Sequence, residues 1–371
     1  MKVAFTGGGT GGHIYPGLAI IEALQATNTS FDIFWIGEIH GMEEKIITQT
    51  HLPFKGIHAG KLRRYFSLKN ISDLFKIIRG FFDAYAILYK ERPNLLFSKG
   101  GFVSVPSVWA AWILRIPIFI HESDYKLGLA NRLSAPFAKK IFISFPQTID
   151  QIKRPSWREK IIYSGSPVRA SLKQGNRFKG RKRWLAKENQ TLILVMGGSQ
   201  GAKAINDLIV GYLPIKLQEE VFVHQTGLLH DQYQSYACDG YHPQAYFHDE
   251  LADLIAAADI IVSRAGAGAI TEFAIMQKSV ILLPLLGHQS ENAKWLDDQH
   301  AVEVIYPKQA NQENFNTILK RLLSNPSQRR HFAKTLHNLI KDDADSFLAS
   351  AIIQELTASS KISLDQQITN R

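Results

Sequence analysis

Glycines packed behind a short apolar run, with a histidine after them, are the first chemical signal in this chain. Val3-Ala4-Phe5-Thr6 runs into Gly7-Gly8-Gly9-Thr10-Gly11-Gly12-His13, and a helical pattern follows from Ile14 to Leu24. A second turn of the same kind follows Leu192–Met196: Gly197-Gly198-Ser199-Gln200-Gly201-Ala202-Lys203, leading into the helical pattern Ala204–Val210. Glycine lets the backbone turn sharply and leaves amide N–H groups uncovered. The next helix points its positive end at the same spot. Such turns bind anions, so two of them imply two nucleotide-type domains serving one phosphorylated ligand or a pair.

His13 stands at the start of the first helix, where the dipole disfavours imidazolium and keeps the ring able to accept a proton. It is either a base acting on a hydroxyl or a partner for the loop backbone. Gly7-x-Gly9-x-x-Gly12 also matches the dinucleotide fingerprint, with Glu38 placed as a ribose-binding acid. Five glycines in six positions and a second phosphate-type turn argue instead for another phosphorylated ligand.

Further candidates fall where strands end. Ser98-Lys99-Gly100-Gly101 follows Leu95–Ser98, and Lys99 offers a point charge to a phosphate. His121-Glu122-Ser123-Asp124 follows Ile118–Ile120 and forms a catalytic or binding cluster, unless Asp124 only caps the next helix. In the second half Ile260–Ser263 leads into Arg264-Ala265-Gly266-Ala267-Gly268-Ala269-Ile270-Thr271-Glu272. Glu272 has two acceptor oxygens for the hydroxyls of a ribose, or is simply a solvated helix carboxylate. After Val280–Leu283, Gln289 and Asn292 share a helix face and carry the donors and acceptors that sugar hydroxyls require. Asp343-Ala344-Asp345 lies away from every strand end and reads as surface or capping sequence, so no metal site is expected.

The elements that must position these residues alternate strand and helix, which implies right-handed crossovers and parallel sheets with ligands at the carboxyl ends of the strands. In the first half the strands are Lys2–Thr6, Asp32–Ile36, Leu95–Ser98, Ile118–Ile120, Lys140–Ile143 and Ile161–Tyr163. In the second they are Thr191–Met196, Val221–Gln225, Gln244–Phe247, Ile260–Ser263, Val280–Leu283 and Ala301–Ile305. The fold class is therefore α/β, with two Rossmann-like parallel-sheet domains. The first spans 1–164 and the second 165–344, with a hinge near residue 165, and the strand–helix pattern restarts after the basic segment Lys173–Arg183. A helix over 345–357 is expected to pack on the first domain, and 358–371 forms a polar, frayed tail.

Composition agrees. The chain has 371 residues, 45% hydrophobic and 20% charged, as in ordinary globular domains. Its 43 basic and 33 acidic residues give a formal charge of +10, which favours anionic partners. No nucleic-acid-binding signature accompanies that charge, so nucleic acid is not an expected partner. Cys238 is the only cysteine, which excludes internal disulfides and cysteine zinc clusters. Val103–Ile120 is apolar, yet Pro106, Arg115 and Pro117 break it into a buried helix and strand rather than a membrane span. Lys61-Leu62-Arg63-Arg64-Tyr65-Phe66 precedes a helical pattern over Leu68–Lys90 containing Phe75, Ile77, Ile78, Phe81 and Phe82. That pairing suits an anionic membrane surface, or else a core-facing stripe beside a solvated loop.

Together these motifs resemble the MurG family, the N-acetylglucosaminyltransferases that convert lipid I to lipid II in peptidoglycan synthesis. The likeness runs from Gly7–His13 to Gln289–Asn292 and includes Gly60–Phe66, Phe97–Pro106 and His121–Asp124. It implies a glycosyltransferase-B fold with the active site in a cleft between the domains. It also implies a UDP-sugar-dependent hexosyltransferase that needs no cofactor or metal. On this resemblance the donor UDP-N-acetylglucosamine meets Thr10, Gly11, Gly12, Arg169, Ser199, His248, Gly266, Ala267, Glu272, His288, Gln289 and Asn292. The acceptor lipid I meets Gly9, Lys99, Gly100, Gly101 and Asn131, and His13 and Asp124 are the catalytic candidates. Many members of that family carry Gln-Asn where this chain has Ser123-Asp124, and some carry Gln at the position of His288. Transfer to another lipid such as diacylglycerol and nicotinamide-dependent oxidoreduction are the alternatives. The resemblance further implies peripheral attachment to the cytoplasmic face of the plasma membrane, beside its anionic leaflet, and a place in a wall-building complex.

Overall fold

A computed structural model describes residues 1–60, 69–198, 200–228 and 231–369. The chain divides into two compact units: Met1–Arg169 with Asp342–Arg371, and Ala170–Lys341.

The first unit carries a seven-stranded sheet, parallel throughout. Its strands are β1 (Lys2–Thr6), β2 (Asp32–Glu38), β3 (Phe54–Ile57), β4 (Leu95–Ser98), β5 (Ile118–Glu122), β6 (Lys140–Ile143) and β7 (Ile161–Tyr163). The spatial order is β3-β2-β1-β4-β5-β6-β7, so the direction of winding reverses between β1 and β4. Crossovers leave those two strands toward opposite faces, and a crevice opens at their carboxyl ends. Thr6 pairs in register with Ser98 there, which sets the two glycine turns that follow side by side. Helices cover both faces, so Val3, Ala4 and Phe5 are all fully buried and the strand reads as a continuous apolar run.

The second unit repeats the plan. Its strands are β8 (Thr191–Met196), β9 (Glu220–Gln225), β10 (Tyr241–Gln244), β11 (Ile260–Ser263), β12 (Ser279–Leu282) and β13 (Glu303–Val304), ordered β10-β9-β8-β11-β12-β13 and all parallel. The reversal falls between β8 and β11, where Met196 pairs with Ser263. The turns after these two strands are neighbours for the same topological reason.

Several elements differ from the sequence reading. Strand β3 is absent from it, because Lys55 and Gly56 interrupt the apolar run at a sheet edge. The stretch ahead of β8 holds two short helices absent from the sequence reading, Ala170–Lys173 and Arg177–Arg183, the latter capped by the Asn176 side chain accepting from Lys179 N. Strand β10 ends at Gln244, where the expected strand begins, since its buried residues are Tyr241 and Pro243. A helix over Gln312–Ser324 buries Phe315, Leu319 and Leu322 at helical spacing. The closing helix, Ala344–Thr369, continues through most of the stretch expected to fray, for it contains no Gly or Pro. Its Leu348, Ile352 and Leu356 join Ile14, Leu18 and Ile21 of the helix Gly11–Gln25 in one core. The apolar stretch tested as a membrane span becomes the helix Ser104–Ile113 and strand β5.

Candidate active site

In the first unit the turn after β1 is held rigidly by its neighbours. Gly9 and Gly101 lie in the left-handed region, at φ 83° and 82°. A Cβ on Gly101 would stand 2.3 Å from the Gly8 carbonyl oxygen, so only glycine lets the turns after β1 and β4 close on each other. Trp35 Nε1 donates to the Gly7 carbonyl at 3.1 Å. Glu43, from the helix Met42–Gln49, is fully buried under the turn. Its carboxylate accepts from Gly9 N at 3.2 Å and from Glu38 N at 2.8 Å. The Gly9 amide, assigned to the acceptor by the resemblance, is thus already engaged by an internal carboxylate. Thr10 is the exposed N-cap, and Gly11 and Gly12 open the helix.

His13 follows at once. Its Nδ1 lies 3.1 Å from the Lys99 carbonyl, which can only accept, so the proton sits on Nδ1 and the Nε2 lone pair is left available. Burial, then the nearby Lys99 charge, lowers its pKa below the usual histidine value, against opposing pulls from Asp124 and the Lys99 carbonyl. A neutral ring with one lone pair is the state that accepts a proton.

Around it the β4 and β5 ends build a buried polar cluster. Lys99, 1% exposed, places Nζ 2.5 Å from His121 Nδ1 and donates to Ser123 Oγ at 2.9 Å. His121 Nε2 donates to the Gly165 carbonyl at 2.9 Å, so its Nδ1 is the acceptor for Lys99. Burial brings the Lys99 pKa down to about 7, although Glu122 and Asp124 oppose it. Glu122, also buried, has its carboxyl pushed up to about 7, first by desolvation and then by the Asp124 charge. Its oxygens accept from Asp124 N at 2.9 Å, Gly128 N at 2.8 Å and Asn131 Nδ2 at 2.9 Å. Glu122 therefore shapes the loop that presents Asp124, a role its sequence position alone does not disclose. Asn131 is 3% exposed, and its Oδ1, beside Gly100, lacks a partner among the described residues. Arg169 ends this unit rather than opening the next, with its guanidinium 4.4 Å from the centre of the Tyr15 ring.

In the second unit the turn after β8 is supported by neutral groups. Gly198 and Gly201 have φ of 90° and 76°. A Cβ on Gly227 would meet the Gly201 backbone at 2.2 Å. Gln225 Nε2 donates to the Gly198 carbonyl at 3.0 Å, and its Oε1 accepts from Phe247 N at 3.3 Å. Beneath them His224 Nε2 donates to Asn206 Oδ1 at 3.0 Å while Tyr241 OH donates to His224 Nδ1 at 2.9 Å. Burial alone takes the His224 pKa down to about 3, so this chain stays uncharged. The sequence reading missed it. The one hint was a run of polar residues, His224-Gln225-Thr226, at a strand end. Ser199 lies outside the described residues.

The helix Ala267–Ile275 starts at Gly266 with no side-chain cap, and a Cβ on Gly266 or Gly268 would meet nothing within 4 Å. Ala267 is its first residue, and Glu272 lies partly exposed further along. His288 begins the helix His288–Asp298 after Gly287 at φ 96°. Gln289 Oε1 accepts from Leu285 N at 3.0 Å, and fully buried Asn292 donates to the Ala265 carbonyl at 3.1 Å. In this state both amides fix loop backbone, and Asn292 ties the β12 turn to the β11 turn. His248 is exposed, and its backbone N–H and carbonyl are taken by Glu250 and Leu251. No group of three metal-ligating side chains occurs among the described residues.

Comparison with known proteins gives a single picture. Residues 3–143 match the N-terminal domain of glycosyltransferase family 28 and residues 192–347 its C-terminal domain. The UDP-N-acetylglucosamine–N-acetylmuramyl-(pentapeptide) pyrophosphoryl-undecaprenol N-acetylglucosamine transferase of Staphylococcus carnosus is 42% identical, over 92% of this chain and 95% of the relative. The transferase of the same name from Clostridium botulinum is 38% identical, over 96% of this chain and 98% of its own. The crystal structure of Acinetobacter baumannii MurG superposes with a TM-score of 0.73 at 26% identity, covering 95% of this chain and 99% of that one. A UDP-GlcNAc 2-epimerase from Neisseria meningitidis, 16% identical with a TM-score of 0.67, shares the fold.

Proposed function

The chain belongs to glycosyltransferase family 28, within its MurG branch, and from that premise we propose how its two units divide the reaction. It transfers N-acetylglucosamine from UDP-N-acetylglucosamine to lipid I, giving lipid II for peptidoglycan. With the family shown, the dinucleotide reading of Gly7-x-Gly9-x-x-Gly12 falls away.

The first unit takes the acceptor and supplies the base. His13 Nε2 removes the proton of the acceptor's 4-hydroxyl as that oxygen attacks the anomeric carbon. The bond from that carbon to the donor's diphosphate breaks, configuration inverts, and UDP departs with the electron pair. The observation that carries this reading is the His13 ring, whose Nδ1–H is committed to the Lys99 carbonyl and whose pKa is lowered. Asp124 faces the same charge field and steadies the imidazolium that forms. Asn131 Oδ1 and the Gly101 amide offer contacts to the acceptor, whereas the Gly100 amide already donates to Ser98 Oγ at 3.2 Å.

The second unit holds the donor. The turn after β8 and the start of the helix Lys203–Tyr212 take the diphosphate, and Glu272 holds the ribose. A helix end contributes only about 0.3–2 kcal/mol. Positioning of the two substrates must therefore supply most of the barrier reduction. Fixed dipoles on the leaving group make a metal unnecessary.

We read the helix Lys69–Glu91 as the membrane contact. Ile77 is buried and Phe81 packs on the core, whereas Phe75 and Phe82 are 69% and 64% exposed and Leu74, Ile78 and Tyr89 are exposed with them, so only part of the apolar pattern faces the core. Lys76 and Arg79 lie among them, ready to meet anionic headgroups at about 1 kcal/mol each. No described helix is long and apolar enough to cross a membrane; the exposed apolar and basic side chains of Lys69–Glu91 support attachment at the surface of the leaflet that carries lipid I.

Incubating the purified chain with labelled UDP-N-acetylglucosamine and lipid I, or with diacylglycerol, tests the assignment. Label is expected in the lipid-linked disaccharide alone. Transfer to diacylglycerol with none to lipid I would overturn it.

A further inference from the structure

At the amino-terminal ends of β11 and β12, a cavity of about 230 Å³ is lined by Arg177, Asp259, Lys278, Ser279, Arg329 and Arg330. The donor turns leave the other ends of these strands. Four residues of parallel strand put about 13 Å between the two places.

The charge here is one-sided. Asp259 is already matched, accepting from Arg177 at 2.7 Å, Arg181 at 3.1 Å and Leu192 N at 2.9 Å. Lys278 Nζ donates only to the carbonyls of Ala256 and Ala258, at 2.7 and 3.1 Å. Arg329 donates to those of Leu322 and Leu323, at 2.5 and 2.9 Å. Among the described residues no carboxylate forms an ion pair with Lys278, Arg329 or Arg330. The helix Pro326–Asn338 also begins here, so its positive end adds to the same field.

A second observation is independent of charge. Ser279 is 2% exposed and lines the cavity, yet its Oγ has no hydrogen-bond partner among the described residues. A buried hydroxyl left unpaired is costly and marks a place where a ligand or ordered solvent completes the bonding. Burial, then the Arg177 charge, brings the Lys278 pKa down to about 8, although Asp259 opposes it.

We propose that this cavity is a further anion site, apart from the two glycine turns, taking a small phosphate-class oxyanion, either free in solution or carried on a lipid headgroup. Its volume corresponds to about eight waters at ~30 Å³ each. That admits a phosphate or diphosphate group and falls short of the ~300 Å³ at which pockets for larger organic ligands begin. The site is therefore distinct in kind from the nucleotide-sugar site.

The test is calorimetry on the full chain, saturated with UDP to fill the donor site, then titrated with inorganic pyrophosphate. Flotation with phosphatidic acid vesicles against pure phosphatidylcholine vesicles runs in parallel. Arg330→Glu, at an exposed position, and Lys278→Met are each expected to weaken binding at least tenfold while leaving lipid I turnover unchanged. Weakened pyrophosphate binding supports a free oxyanion, and weakened phosphatidic acid binding alone supports a headgroup. If Lys278→Met does not fold, Arg330→Glu decides. The site is overturned if the unsubstituted chain binds neither probe, or if Arg330→Glu binds both as well as it does.

Discussion

The turn after β1 sits among ionisable side chains, whereas the turn after β8 sits among neutral ones. Around the first are His13, Lys99, Glu122 and Asp124, with Glu43 beneath it. Around the second are Gln225, Asn206, Tyr241 and a histidine that burial keeps uncharged. The two turns share a topology, since each follows a central strand at a reversal of sheet order. On the proposed reading both are anion sites, and their surroundings set one to move a proton and the other to grip a leaving group.

The largest expected effect follows from removing the proton acceptor. His13→Ala should lower turnover by about 10²–10⁴-fold, the usual contribution of a general base. Its affinity for UDP by calorimetry should stay little changed, because on this account the second unit and not His13 holds the donor. Equal losses in both quantities would erase the distinction between the turns. Asp124→Ala should cost turnover about 10-fold or more, as loss of one charged hydrogen-bonding group does, again sparing UDP. A pH–rate profile sharpens the same point. The His13 pKa is lowered in the fold, so the ring stays neutral as pH falls through 6.5, and the acid limb of kcat/KM should lie below that value. An acid limb above 6.5 would assign the limiting group elsewhere. On the neutral side of the comparison, Glu272→Ala should weaken UDP-sugar binding by about 10-fold, one charge-assisted hydrogen bond, with kcat at saturation little changed. Unchanged donor affinity would contradict the ribose contact.

Much of this arrangement is legible in the residues. The glycine runs, the strands that lead into them and the cluster His121–Asp124 all stand at strand ends in the structure. What escapes is side-chain burial that periodicity cannot encode. Glu43 sits in Met42–Gln49, a helix with four charged or polar positions around it, and reads as solvated until the fold tucks its carboxylate under Gly9. Gln289 and Asn292 read as a sugar-reading pair because amides suit hydroxyls, yet each is engaged with loop backbone. The helix Arg177–Arg183 hides for another reason. Its strongly basic composition lacks an apolar stripe, and ion pairing of Arg177 and Arg181 with Asp259 stabilises it instead. The helix Gln312–Ser324, by contrast, carried a readable signal in the spacing of Phe315, Ile318, Leu319 and Leu322.

The division of labour between the turns is tested most directly by a crystal structure of the full chain with UDP bound. The account predicts the diphosphate on the backbone amides between Gly197 and Ala202, with the ribose on Glu272. Uridine lodged instead against Gly7–Gly12, with the second turn empty, would contradict it.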